Sequence, residues 1–548
     1  MPFALPKRRA LRAGLVTATL LLLFGAVLAG RLAIGQANAT NTADYPAASL
    51  ASPSTQAALI ARGKYLTTAA DCMPCHTGPG HAPFSGGLIL HTPFGGLSSP
   101  NITPDKATGI GNWTDKQFYN AIHYGISPGR SYLIFPKFLY PAMPYTSYTK
   151  LSYADVMAIK AYLFSLAPVH APRVPSSMMF PFNQRPVLLG WRLLFFTPGP
   201  MHMNPHWDKA MKNGAYLTEA LGHCGECHTP RNILSAMELD DAYAGAPIDA
   251  FFAPNISSDK TYGVGGWSKA DLVAYLHDGG NMVKGSAYGP MGDVVTHSTS
   301  QIPVADDEDI ATYLQTETKP QPSNPPPAVP DWAKSAARGA TLYVANCAGC
   351  HGKTGGGMKP LVPNLAGNDS VTAAQPYNVI GAVLSGLPAW KGLAMPSFAM
   401  KLSDQQIADI SNYVRTAWGN KGVANTAPRQ VMRLRGIADV PMGADELSDK
   451  LGCPRVSPAG GPDMVADPGN GLLDTYQGAT AQTVPNRTRE LIAAIRANNS
   501  TIRPADLTNT LIAAYCPVVA HKRGLDLSAK RAALKRFVAS ITPLVNNP

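Results

Sequence analysis

RGKYLTTAADCMPCHT at 62–77, NGAYLTEALGHCGECHT at 213–229 and RGATLYVANCAGCHG at 338–352 are three versions of one phrase. In each, a Gly and large apolar residues precede a Cys-x-x-Cys-His pentad by one to three helical turns, as expected of an N-terminal helix running into a site. The pentads are CMPCH (Cys72, Cys75, His76), CGECH (Cys224, Cys227, His228) and CAGCH (Cys347, Cys350, His351). Cys-x-x-Cys-His is the c-type haem attachment motif. Two thiols add across the two vinyl groups of the haem while the adjacent His is turned onto the iron. A lone Cys-x-x-Cys could be a redox dithiol or half of a zinc site, but three in one chain, each followed by His, argue against both. The spacing therefore predicts three covalently bound haem c groups, with His76, His228 and His351 as proximal iron ligands.

Working outward, NITPDKATGIGNWTDKQFYNAIHYG at 101–125 parallels NISSDKTYGVGGWSKADLVAYLHDG at 255–279 residue for residue, so the first two domains read as duplicates and the third as more diverged. Each domain closes on an amphipathic helix: LSYADVMAIKAYLFSL at 151–166, VADDEDIATYLQT at 304–316 and LSDQQIADISNYVRTAWG at 402–419. The expected domains are 55–170, 210–318 and 332–425, each small enough that a bound haem must supply much of its core. The fold class expected is all-α, with three consecutive class I cytochrome c domains.

A haem that transfers electrons needs a sixth ligand, and Met raises its potential. Met143 in YPAMPY, Met291 in YGPMGDVV and Met395 in LAMPSF recur just before the closing helices and are the expected distal ligands. Met282, Met358 and Met400 are nearby rivals, whereas Met157 lies on a helix and reads as core. His123 and His277 occupy equivalent places in the duplicated block and read as structural. Arg231, just after the second pentad, is a candidate partner for a haem propionate.

The 548-residue chain is 45% hydrophobic and only 15% charged, which argues against a solvated, disordered or coiled-coil chain; its 50 Gly and 49 Pro mean much turn and loop. The net charge of +11 favours anionic partners, but the Lys and Arg are scattered, and no nucleic-acid module is present. Residues 1–39 combine a basic start with the uncharged run GLVTATLLLLFGAVLAG at 14–30, so they are a signal peptide or an N-terminal membrane anchor. The reading favours the anchor, with cleavage after Ala39 as the alternative, and either places Thr40 onward outside the cytoplasm. The linker 171–209 is apolar and aromatic, as if covered by another domain, a partner subunit or the membrane. The linker 319–331 is proline-rich and reads as an extended spacer. Residues 430–548 read as a small haem-free helical extension, in which Cys453 and Cys516 are either disulfide-bonded, the simpler reading, or buried thiols.

The order of CMPCHT, NITPDKATGIGNWT, YPAMPY, HCGECHTPRN, NISSDK, GPMGDVVTHST, CAGCH and AMPSFAMKLSDQQIADISNYVRTAWGN resembles the triheme cytochrome c subunit of membrane-bound periplasmic, quinone-linked dehydrogenases of acetic acid bacteria and their relatives. Members serve alcohol, aldehyde, gluconate, sorbitol and fructose dehydrogenases, and the similarity spans about residues 60–422. The resemblance implies that a separate catalytic subunit, dependent on pyrroloquinoline quinone, flavin or molybdopterin, oxidises the substrate. It also implies that the haems carry its electrons to membrane ubiquinone at the periplasmic face of the cytoplasmic membrane. The pentads carry over as haem attachment and proximal ligands, and Met143, Met291 and Met395 as distal ligands. The chain itself is then no enzyme, in keeping with its lack of Rossmann glycines or a nucleophile motif. It departs from the family at both ends, in its anchor-like N-terminus and its long C-terminal extension.

Overall fold

The computed structural model describes residues 53 and 55–435, except 133–134, 249, 360–361, 388–394 and 400. Beyond 435 it describes Leu451, Cys453, two short strands and most of 475–546. The expected signal or anchor, residues 1–39, lies outside the described residues. The chain divides into two compact units: one comprises residues up to Gly78, Ala82–Glu226 and Asn232–Ala236, the other Pro79–His81, Cys227–Arg231 and Met237 onward.

The first unit is built on α1 (Gln56–Ala69), α2 (Asp115–Tyr124) and α3 (Tyr153–Ser165), followed by α4 (Leu188–Phe195) and α5 (Lys209–Tyr216). Thr55, Thr114 and Ser152 cap the first three through side-chain oxygens that accept backbone N–H bonds, and Gln117 completes a capping box on α2. α1 crosses α3 at Gly63, where a Cβ would stand 1.9 Å from the Ala158 carbonyl oxygen, so only glycine allows the two backbones to meet. Beside the crossing, Arg62 forks onto Asp155, with Nη2 3.0 Å from Oδ1.

α5 runs directly into a π-helical turn, Leu217–Leu221. From Tyr65 and from Tyr216 the two copies read Tyr-Leu-Thr, but the second has one more residue before its first Cys. The π turn takes up that extra residue. The sequence starts a second domain at 210, yet the structure packs 209–226 into the first unit. Tyr216 bonds Asp155 Oδ2 at 2.8 Å, Lys150 pairs with Glu219 at 2.7 Å, and Glu226 accepts from Thr146 and from Ser147.

In the second unit, α6 (Lys269–Asp278), α7 (Pro290–His297) and α8 (Val304–Thr316) are followed by α9 (Trp332–Asn346), α10 (Tyr377–Ser385), α11 (Asp404–Thr416) and α12 (Pro428–Arg435). α9 crosses α11 at Gly339 just as α1 crosses α3: a Cβ there would lie 2.0 Å from the Asp409 carbonyl oxygen, and Arg338 forks onto the Asp409 carboxylate at 2.8 Å. The core at this crossing holds Tyr343, Ile380, Leu384, Ile407 and Val414, and also Val431 and Leu434 of α12. This core therefore reaches beyond residue 425, because α12 buries its apolar face in it. The proline-rich segment, without helix or strand over 319–330, is fastened to its neighbours. Gln321 receives Asn255 Nδ2 at 2.8 Å, and Val329 donates to the Ala424 carbonyl at 2.9 Å, which straps the segment down at both ends.

Helices dominate, but the fold is not all-α. Antiparallel pairs join Ile89–Thr92 to Gly95–Ser98, Ile126–Tyr132 to Phe135–Phe138, Ala246–Ile248 to Phe251–Ala253 and Gly280–Asn281 to Gly285–Ser286. These short ladders satisfy backbone groups in the Gly- and Pro-rich connections, where no helix can. In the extension, α13 (Val484–Asn498), α14 (Pro504–Ala520) and α15 (Leu527–Asn546) share a core of Leu491, Ile495, Leu511, Phe537 and Ile541, and Cys453 is disulfide-bonded to Cys516.

Candidate cofactor sites

Each pentad forms a single helical turn, Cys72–Cys75, Gly225–His228 and Ala348–His351, and crossing contacts hold the helices that lead into the first and third. In the first, His76 is buried and its Nδ1 lies 2.8 Å from the Pro100 carbonyl oxygen. In the second, His228 Nδ1 lies 2.7 Å from the Pro254 carbonyl. A carbonyl can only accept, so Nδ1 carries the proton and Nε2 keeps a free lone pair, the tautomer a metal requires. Burial lowers the pKa of both imidazoles and brings that of His351 down to about 4, so all three are neutral. The His351 ring is oriented differently: its buried Nδ1 has no partner among the described residues, and its backbone carbonyl receives Gly357 N at 3.0 Å.

Three of the thiols, in the first and third pentads, have the opposite character from a redox pair. Burial pushes Cys72 and Cys347 up to about 12 and raises Cys350 as well. A thioredoxin-type dithiol needs a lowered pKa. The six pentad cysteines are unbonded to one another, in contrast to the Cys453–Cys516 pair.

The methionines lie on loops of recurrent construction. α2, α6 and α10 each end at a glycine with positive φ: Gly125 (60°), Gly279 (80°) and Gly386 (75°). Leu139, four residues before Met143, donates to the Gly125 carbonyl at 2.8 Å. Ala287, four before Met291, donates to the Gly279 carbonyl at the same distance. Next to Gly386, Leu387 and Met395 exchange backbone bonds of 2.9 Å. Met143, Met291 and Met395 are all half-buried. Neutral imidazoles with their Nδ1 held at two of three sites, a pair of unbonded cysteines and a thioether on a clamped loop form a donor set that suits a covalently attached haem at each site.

Arg231 is exposed on the turn after the second pentad, its backbone paired with Met237. Met157, Met282 and Met358 are half-buried, and Met400 lies outside the described residues. His123 is 1% exposed and stacks on Tyr119; neither of its ring nitrogens has a partner among the described residues, and burial lowers its pKa to about 4. His277 instead bonds a carboxylate, its Nδ1 2.9 Å from Asp307 Oδ2.

Reasoning from sequence missed Pro100 and Pro254, whose carbonyls orient the His76 and His228 imidazoles. The signal was present as a Pro-Asn pair after each pentad, at 100–101, 254–255 and 363–364. Among the described residues no helix is long and apolar enough to cross a membrane, and no group of His, Cys, Asp and Glu could hold a bare metal ion.

Residues 336–418 match the cytochrome c family, a span running from α9 into the turn after α11. The gluconate 2-dehydrogenase cytochrome c subunit of Pantoea cypripedii is 37% identical over 71% of this chain and 92% of its own length. The cytochrome c subunit of an alcohol dehydrogenase (quinone) of Gluconacetobacter polyoxogenes is 35% identical over 70% of this chain and 85% of its own. The fructose dehydrogenase cytochrome subunit of Gluconobacter japonicus is 35% identical over 70% and 84%.

Proposed function

This chain belongs to the cytochrome c subunits of quinone-linked dehydrogenases, and from that premise we propose that it holds three haem c groups and relays electrons from a catalytic subunit to ubiquinone. Its role in the complex is electron transfer, with a catalytic dehydrogenase as its partner. The finer reading assigns Cys72, Cys75, Cys224, Cys227, Cys347 and Cys350 to thioether bonds. His76, His228 and His351 are the proximal ligands, Met143, Met291 and Met395 the distal ones, and Arg231 faces a propionate. Three haem domains follow one another between about 55 and 435, and residues 1–39 tether or export the chain to the periplasmic face of the cytoplasmic membrane. The partner oxidises an alcohol, aldehyde or sugar.

The observation that carries the reading is the repeated construction of the sites. A neutral imidazole ends each pentad, and a methionine follows a glycine-capped helix each time. When bound, the haem iron supplies one-electron chemistry. The chain fixes the imidazole tautomer through Pro100 and Pro254, holds the Cys72, Cys347 and Cys350 thiols un-ionised by burial, and offers a thioether that favours the reduced iron. To test this, the tagged protein is purified from native membranes in mild detergent, and ethanol, acetaldehyde, gluconate and sorbitol are added in turn while the reduced haem c absorbance is recorded. Reduction by one substrate class, with a large subunit co-purifying and three haems per chain, is the expected result. High-spin haem in the resting protein, or no reduction and no partner, would overturn it.

A further inference from the structure

The two duplicated domains treat the same histidine differently. His123 and His277 are the same position of the repeated block, and aligning the closing helices on Tyr162-Leu163 and Tyr313-Leu314 places Val156 opposite Asp307. Where the first copy has a fully buried valine, the second has a fully buried carboxylate, 2.9 Å from the imidazole. Its other oxygen, Oδ1, is buried with no partner among the described residues. A carboxylate without exposure and with one oxygen unmatched is costly, and apolar packing in its place is ordinarily as stable or more so. The first copy shows that valine fills the position. Stability alone does not account for Asp307.

The pair sits where the Met291 loop is anchored. Ala287 ties the start of that loop to Gly279, and Thr299, just past α7, donates its hydroxyl to the Leu276 carbonyl, so both fastenings fall within two residues of His277. His277 in turn binds Asp307 in the first turn of α8. The side chain of His277 is 28% exposed, which gives the pair access to water. Burial lifts the Asp307 carboxyl to about 7 against the pull of His277, with Asp306 pushing the same way. Around them, α8 also carries Glu308 and Asp309, α6 adds Asp278 beside His277, with Lys269 and Asp271 two turns away, and α7, packed against α6, carries Asp293 and His297.

We propose that His277 and Asp307 form a proton-accepting pair that couples reduction of the second haem to proton uptake, a property the first haem domain lacks. The inference rests on the reading of the second pentad and Met291 as a haem site. When that iron gains one electron from the partner dehydrogenase, the pair takes one proton from water through His277, and the local charge is unchanged. Above the pair's titration range Asp307 stays ionised, and its negative charge favours the oxidised iron. The second haem's midpoint potential therefore falls as pH rises through neutrality, while the first, beside Val156 and a His123 that stays neutral there, does not respond.

The test is a potentiometric titration of the purified full-length holoprotein at pH values from 5.5 to 8.5, on the order of one unit either side of the ordinary neutral range of such pairs. In the native protein one midpoint is expected to fall with pH. Asp307→Asn, which keeps the shape but cannot titrate, should flatten that line and leave the others unchanged. Val156→Asp should confer a slope on a second midpoint. A flat native protein, or a slope that survives in folded Asp307→Asn, overturns the proposal. The underlying ligand reading is checked separately by Met291→Leu, which should remove the far-red methionine-to-iron band of one haem; an unchanged band refutes that reading whatever the pH lines do.

Discussion

Replacing Gly339 with alanine puts a methyl carbon 2.0 Å from the Asp409 carbonyl oxygen, 2.6 Å from its carbon and 2.8 Å from Tyr413 Cβ. Two of the three obstacles are helix backbone and cannot swing aside, so α9 and α11 must separate by more than an ångström. That movement opens the contact around fully buried Tyr343 and stretches the Arg338–Asp409 fork. Overpacking of a rigid contact costs about 1–3 kcal/mol, and this case belongs at about 3. For a domain of this size that is a fall in melting temperature of roughly 15 °C. The assay is thermal unfolding of the holoprotein followed by far-UV circular dichroism and haem absorbance. The control is Gly349→Ala in the third pentad, where an added Cβ meets nothing within 4 Å and the change should stay within about 0.5 kcal/mol. If Gly339→Ala melts with the control, backbone approach is not what holds α9 against α11.

Acidification gives a second check. Burial raises the Asp409 carboxyl, but hydrogen bonds from Arg338, Ser335 and Gln405 outweigh it and hold the pKa below the ordinary 3.8. The stabilisation is present above that ordinary value and lost as pH falls through the lower, folded one, so acid melts of the third domain should flatten in Arg338→Leu. Arg415 is completely buried and donates to the carbonyls of Val371, Ala373 and Val423 at 2.8–2.9 Å. Arg415→Leu strands these acceptors and should cost about 4 kcal/mol in denaturant unfolding, with Arg415→Lys recovering little because its ammonium cannot fork. Removing the Cys453–Cys516 bond, whose cysteines are 63 residues apart, should destabilise the C-terminal helices by about 4 kcal/mol and leave the haem spectra unchanged.

The pentads, the duplicated block and the methionine loops were legible because each is written in side chains whose chemistry demands a fixed spacing. What escaped was written in the backbone or in partners far along the chain. The Pro100 and Pro254 carbonyls act through main-chain oxygen, which leaves no residue-type signature beyond a recurring Pro-Asn. The docking of 209–226 into the first unit depends on Tyr216 reaching Asp155, 61 positions away, which no local pattern announces. The small hairpins fell below the reach of periodicity, being two to seven residues long. Helix α12 reads as the start of the extension because its composition is basic; only packing shows Val431 and Leu434 turned into the third core.

The π turn at Leu217–Leu221 has a bearing on how such a chain changes over generations. One residue inserted into a regular helix rotates everything upstream by about 100° relative to everything downstream. Buried Ala215 and Tyr216 would then face outward, or Cys224 and Cys227 would be turned to the opposite side. A widened turn confines the extra residue to itself, so both flanks keep their bearings. A gene copy carrying such an insertion remains serviceable from the moment it arises, and selection can then act on its other differences. Repeated segments joined in this way can drift in length as well as in composition without first passing through a broken intermediate.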